Sequence, residues 1–205
     1  MPVIVIANPK GGSCKSTLAT HVAGMLAREG LSVMLGDVDR QQSARQWLAM
    51  RPPEVPPIQS WDLDGDQVLR PPRGTTHVVV DTPAGLQGDL LETLLKAADK
   101  VLVPVQASLF DIQPTHAFLQ ALQQHRRRRD FGVGVVAMRV REGTHAQDRL
   151  DEYLAGIPVP VVARVRDTQN YVHLAAHGLT LWDVTPSRVE RDLRQWRPLS
   201  DWLLH

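Results

Sequence analysis

Cysteine is nearly absent: Cys14 is the only one in 205 residues, which excludes an intramolecular disulfide. The chain also lacks a charged start followed by an apolar h-region, and no apolar run is long enough to cross a bilayer. A cytoplasmic protein is therefore expected. Net charge is almost missing as well. A formal value of +1 and a pI of about 8.0 advertise no polyanion partner, so nucleic-acid binding would have to come from local clusters. There is no His/Cys cluster of the zinc-binding kind. Repeats and low-complexity segments are missing, apart from Pro52, Pro53, Pro56 and Pro57 and the arginines at 126–129. Apolar residues are plentiful, at 43%, and 205 residues suffice for one sizeable core. One domain over residues 1–205 is expected.

Val3, Ile4, Val5, Ile6 and Ala7 form a continuous β-branched run, the pattern of a strand buried on both faces. From 16 to about 28, Leu18, Val22, Met25 and Leu26 recur at helical spacing until Gly30 stops them. Residues 32–38 read as a strand and 41–50 as a helix, and the prolines at 52–57 force an irregular connection. Further apolar runs at 77–80, 100–105, 132–138 and 159–163 are each separated by enough chain for a helix. This alternation predicts an α/β fold with a doubly wound, mostly parallel sheet flanked by helices. A last helix is expected from about 187, broken at Pro198.

Between the first strand and first helix lies Asn8-Pro9-Lys10-Gly11-Gly12-Ser13-Cys14-Lys15-Ser16-Thr17. Small residues there let backbone N–H groups approach an anion at a helix N-terminus. The strict P-loop pattern needs glycine at the positions of Pro9 and Cys14, and so it fails. Two carboxylate segments follow, Gly36-Asp37-Val38-Asp39-Arg40-Gln41 at the end of the second strand, and Val78-Val79-Val80-Asp81-Thr82-Pro83-Ala84-Gly85. Hydroxyl and carboxylate oxygens near a phosphate site suit hard Mg²⁺.

Lys10-Gly11-Gly12-x-x-Lys15-Ser16-Thr17 resembles the deviant Walker A box of the ParA/MinD superfamily, with only the glycine at Cys14 missing. The segments around Asp37–Asp39 and Asp81–Gly85 resemble that family's switch I and switch II, and Pro104-Val105…Ser108…Asp111 resembles its stretch after the fifth strand. The resemblance runs from residue 1 to about 176 and is closest to short ParF-like plasmid partition ATPases. It implies a P-loop NTPase fold and a cycle using ATP and Mg²⁺. Gly11, Gly12, Ser13, Cys14, Lys15, Ser16 and Thr17 would hold the nucleotide, with Arg139 at the base. Lys15 would hold the phosphates, Lys10 would act across a dimer, and Asp39 would orient the attacking water. Ser16, Asp37 and Asp81 would surround the metal.

The implied function is partition or positioning: a homodimer formed on ATP binding, nonspecific DNA binding at the nucleoid, and hydrolysis stimulated by a small centromere-binding or adaptor protein. Arg164, Arg166, Arg188 and Arg191 are the candidate DNA contacts, with the arginines at 126–129 as a further cluster. No helix-turn-helix extension is expected before the first strand. Iron–sulfur relatives need paired cysteines, which are missing. Other readings are a positioning ATPase for a protein cargo such as a chemotaxis cluster or microcompartment, a metabolic ligase resembling dethiobiotin synthetase, and a nucleotide-binding module whose Cys14 limits hydrolysis. A MinD-like membrane helix would use Trp196, Trp202, Leu203 and Leu204, whereas Val189, Leu193 and Trp196 at core spacing argue against a membrane partner. Cys14, at a helix N-terminus beside Lys15, is expected to be a reactive thiolate.

Overall fold

A computed structural model describes residues 1–61, 71–125, 128 and 130–205. Among the described residues, seven parallel strands form one sheet: β1 (Val3–Ile6), β2 (Val33–Asp37), β3 (Ile58–Trp61), β4 (His77–Asp81), β5 (Lys100–Gln106), β6 (Gly132–Val140) and β7 (Val161–Arg166). Their spatial order is β3-β2-β4-β1-β5-β6-β7, with β1 paired to β4 on one side and β5 on the other. The helices are α1 (Lys15–Arg28), α2 (Ser43–Ala49), α3 (Gly88–Ala97), α4 (Leu109–Gln124), α5 (His145–Ala155), α6 (Gln169–Ala175) and α7 (Pro186–Leu204).

Alternation along each strand divides the apolar residues between two layers. Ile4 and Ile6 face a layer built on α1 and α7, where Leu18, Val22, Trp196 and Leu199 are buried. Val3 and Val5 face the opposite layer with Leu94, Leu95, Phe118 and Leu122. Helix α1 is buried along most of its length because a short 3₁₀ turn at Leu181–Asp183 covers its outer side. A Cβ at Gly24 would come within 2.5 Å of Thr180, so this approach needs glycine. The turn is pinned by Arg51, whose guanidinium meets both carboxylate oxygens of buried Asp183 at 2.9 Å.

One expectation fails, and one strand was not foreseen. The prolines at 52–57 form the irregular connection expected, and it is followed by a strand, β3, which pairs with β2 at the sheet edge. Only its end residues, Ile58 and Trp61, are buried, so it has no apolar run to betray it. Helix α7 continues through Pro198 instead of breaking there. Pro198 lies on the solvent side, where water can satisfy the carbonyl that loses its N–H partner. Trp196, Leu199 and Leu203 hold both sides of it against the sheet. The irregularity falls at Val189, with φ −131° and ψ 17°. Of the residues named for a membrane helix, Trp196 and Leu203 are buried in the core, Trp202 is half-buried and Leu204 is exposed, so most of that apolar face is used in packing. Among the described residues, no helix is long and apolar enough to cross a membrane.

Candidate nucleotide site

The C-terminal ends of β1, β2, β4 and β5 converge where the strand order reverses, the usual place for a ligand in an open α/β sheet. The loop after β1 starts from an anchor. Asn8 is fully buried; its amide donates to the Pro104 carbonyl at 2.7 Å and to Thr115 Oγ1 at 2.9 Å, while its Oδ1 accepts from the Lys10 N–H at 2.9 Å. Ser13 is buried and bonds back to the Lys10 carbonyl at 3.0 Å, closing the loop on itself. Gly12 takes φ 75°, and Gly11 and Gly12 are both exposed.

Lys15 and Lys10 point in different directions. Lys15 is buried, with Nζ bonded to the Lys10 carbonyl at 2.9 Å and 3.4 Å from Ser13 Oγ. Burial lowers its pKa, and the Asp81 and Asp39 charges oppose that shift. Lys10, 39% exposed in its side chain, leaves the loop and rests on Asp111 of α4 at 3.9 Å. Asp111 belongs to the segment quoted for the family resemblance, but its pairing with Lys10 could not be read from sequence.

Asp81 ends β4 fully buried, and neither carboxylate oxygen has a hydrogen bond of ordinary geometry among the described residues. Burial pushes its carboxyl up to about 7, and the Ser16 hydroxyl beside it opposes the shift. An orphaned buried carboxylate next to a hydroxyl is a donor set that fits a hard divalent cation. Asp37 is level with Asp81 on the adjacent strand. Its oxygens are engaged: Oδ2 accepts from the Ala44 and Arg45 N–H groups at 2.8 and 3.1 Å, and Oδ1 from the Asp39 N–H at 3.0 Å. Asp37 thus holds the start of α2. Asp39 is half-buried, its Oδ1 accepting from the Gln41 N–H at 3.0 Å. The segment after Asp81 joins the loop through the Gly85 N–H, 2.7 Å from the Pro9 carbonyl.

Cys14 occupies the left-handed region, φ 67° and ψ 27°, at the N-terminal boundary of α1. A side chain other than glycine is strained there by roughly 1 kcal/mol. The Gln106 amide lies 3.3 Å from its Sγ and also bonds the Gly12 carbonyl, a contact across the loop that sequence reasoning missed. The expected thiolate is overturned. Burial, the largest influence, raises the thiol pKa, outweighing the nearby Arg139 and Lys15 cations.

Thr17, with Cys14, opens onto a cavity of about 230 Å³ that includes Met138, Arg139, Val165, Asp167, Tyr171 and Val172. Arg139 has φ 54° and bonds Asp167 at 3.0 Å, so the candidate base contact is occupied by a carboxylate. The candidate DNA contacts are dispersed. Arg164 pairs with Asp151, Arg166 with fully buried Asp192, and Arg191 with Glu142 at 2.8 Å. Arg188 is exposed and makes no ion pair among the described residues. Of the cluster at 126–129, positions 126, 127 and 129 lie outside the described residues, while Arg128 bonds Gln123 and the Phe131 carbonyl.

A parallel sheet whose first strand feeds a glycine and lysine loop into a helix, with buried Asp81 opposite Ser16, defines a P-loop nucleotide-binding domain. The chain belongs to the family described as the CobQ/CobB/MinD/ParA nucleotide binding domain, whose model matches residues 4–181. It is 32% identical over 116 residues to the maintenance of carboxysome distribution protein A of Gloeobacter kilaueensis, covering 54% of this chain and 51% of that protein. It is 32% identical over 156 residues to the chromosome-partitioning ATPase Soj of Thermus thermophilus, covering 60% and 62%. The chain thus spans about half to under two thirds of these relatives. A plasmid partition protein of Borrelia burgdorferi B31, solved bound to AMPPNP, superposes with a TM-score of 0.74 at 15% identity, covering 98% of both chains. That likeness speaks to the fold.

Proposed function

We propose that this chain is an ATP-driven partition or positioning switch that dimerises with Mg-ATP. The observation that carries the reading is the division of labour between its two loop lysines. Lys15 fills its own phosphate loop, whereas Lys10 stands outside it, partly exposed on Asp111; in this reading it serves a phosphate bound by a second copy. Lys15 would neutralise phosphate charge in place, Ser16 and Asp81 would hold the divalent cation, and Asp39 would orient the attacking water. Mg²⁺, when bound, supplies neutralisation of the charge that develops on the phosphates. Exchange of Lys10 from Asp111 to a partner's phosphate couples nucleotide state to dimerisation.

Within this reading the cargo attaches through DNA, and the polyanion surface centres on α7. Arg188, Arg194 and Arg197 are exposed there with no ion pair among the described residues, while Arg164, Arg166 and Arg191 are already matched to carboxylates. A small adaptor protein would stimulate hydrolysis and release. The likeness to a carboxysome distribution protein favours a second reading, in which the same cycle positions a protein cargo. Gel shifts with unrelated duplexes test the DNA surface. Binding should require Mg-ATP, ignore sequence, fall steeply with salt, and weaken on charge reversal of Arg188, Arg194 and Arg197. Binding that is independent of nucleotide, or unchanged by the reversal, would contradict it.

A further inference from the structure

The buried anchor under the phosphate loop also reaches helix α4. Asn8 donates to the Pro104 carbonyl and to Thr115 Oγ1, and accepts the Lys10 N–H. Its amide has one orientation, since a flip would set Oδ1 against the Pro104 carbonyl. Thr115 is fully buried too, and its hydroxyl donates to the Asp111 carbonyl at 2.7 Å. A threonine bonding back one turn is ordinary in a helix. Here the same oxygen also takes the Asn8 amide, so a line of hydrogen bonds joins the Lys10 backbone to the residue on which the Lys10 side chain rests. Pro114 has no N–H to give the Phe110 carbonyl, so the first turn of α4 is short of a bond where Thr115 straps it.

The Lys10 carbonyl is held as well, by Lys15 Nζ at 2.9 Å and Ser13 Oγ at 3.0 Å. With N–H and C=O both fixed, the Lys10 side chain leaves the loop in one direction, although Gly11 and Gly12 beside it are exposed. We infer that Thr115 and Asn8 are positioning residues for Lys10: they fix its backbone against α4 and so preorganise its side chain for the nucleotide of a second copy. This assignment rests on the reading of Lys10 as acting across a dimer. Preorganisation is felt on association, because a loosened lysine must be ordered in each of the two copies, which weakens the dimer by about 10-fold. The bonds from Ser13 and Lys15 that close the loop do not involve Thr115, so nucleotide binding by a single copy should hold.

Thr115→Val keeps the side chain's shape and removes the hydroxyl, whereas Thr115→Ser keeps the hydroxyl and loses a methyl. Sedimentation of the full chain with Mg-ATP measures the dimer, and a fluorescent ATP analogue, titrated at protein concentrations where the chain is monomeric, measures nucleotide affinity. Thr115→Val should dimerise about 10-fold more weakly at unchanged nucleotide affinity, and Thr115→Ser should restore the parent dimer. A packing role gives the opposite order, with valine like the parent and serine impaired. Valine dimerising as the parent does, serine as weak as valine, or a matching loss of nucleotide affinity overturns the assignment. Where Thr115→Val does not fold, hydrogen exchange of the parent decides. The Lys10 N–H, held by buried Asn8, should exchange far more slowly than those of Gly11 and Gly12, and equal rates overturn the anchor. A parent chain that stays monomeric with Mg-ATP overturns the dimer reading itself, and the role of Thr115 with it.

Discussion

Cys14→Gly replaces a strained side chain in the phosphate loop with the residue its backbone suits. At φ 67° and ψ 27° glycine is favoured over cysteine by roughly 1 kcal/mol. Two effects oppose this gain. Glycine loosens the unfolded chain by about 0.4–1 kcal/mol, and the thiol's contact with Gln106 is lost. Global stability should therefore change by less than about 1 kcal/mol. Nucleotide binding should respond more clearly, because the loop no longer has to fit a side chain beside the phosphates. If binding adds strain of that size at Cys14, which glycine avoids, roughly 1 kcal/mol corresponds to an affinity gain of about 5-fold for the glycine variant. The assay pairs ATP titration and turnover of parent and glycine variant with iodoacetamide labelling of Cys14 followed by mass spectrometry. Since burial raises the thiol pKa, labelling should be slow near neutrality, faster in alkali, and suppressed by Mg-ATP. A glycine variant no better in binding or turnover, together with labelling indifferent to ATP, would refute the placement of Cys14 at the phosphates.

Lys15→Ala should lose Mg-ATP binding, because its buried ammonium is the loop's internal cation; unchanged affinity by calorimetry would contradict this. Asp39→Ala should keep ATP but lose most adaptor-stimulated hydrolysis, and equal stimulated rates would remove Asp39 from catalysis. His21 is buried against Tyr171 and Trp196 with its Nε2 unpartnered, and burial lowers its pKa to about 4 from 6.5. The unfolded chain therefore binds the extra proton first as pH falls below 6.5. The stabilisation from neutral His21 should shrink by about 2 kcal/mol between pH 7 and 5. Asp81, whose pKa is raised, shifts stability in the opposite sense, so the check is the difference between parent and His21→Leu in urea titrations; a difference that does not change with pH would be contrary evidence.

Much of the fold was legible because its signals are local. The β-branched runs of β1, β4, β5 and β6, and the loop from Asn8 to Thr17, carry their own periodicity and composition. Edge strand β3 was hidden because only Ile58 and Trp61 face the core and prolines precede it. Pro198 misled because its effect depends on which side of the helix it faces, which only the packing of Trp196 and Leu203 determines. Within the site, the identities of Lys10, Lys15, Ser16 and Asp81 could be read in sequence order. Their partners could not. Asp111 under Lys10, Gln106 against Cys14 and Asp167 beside Arg139 are all brought in by strands and helices distant in the chain. The same is true of arginine charge: Arg166 looks like a free cation in sequence, but in the fold it is matched to Asp192.

Light scattering of the parent chain and Lys10→Ala, each with and without Mg-ATP, decides whether Lys10 serves a second copy. The parent should shift from monomer to dimer on adding Mg-ATP, while Lys10→Ala should remain a folded monomer that still binds the nucleotide through Lys15. A Lys10→Ala protein that dimerises with Mg-ATP as the parent does would contradict a role for Lys10 across the dimer.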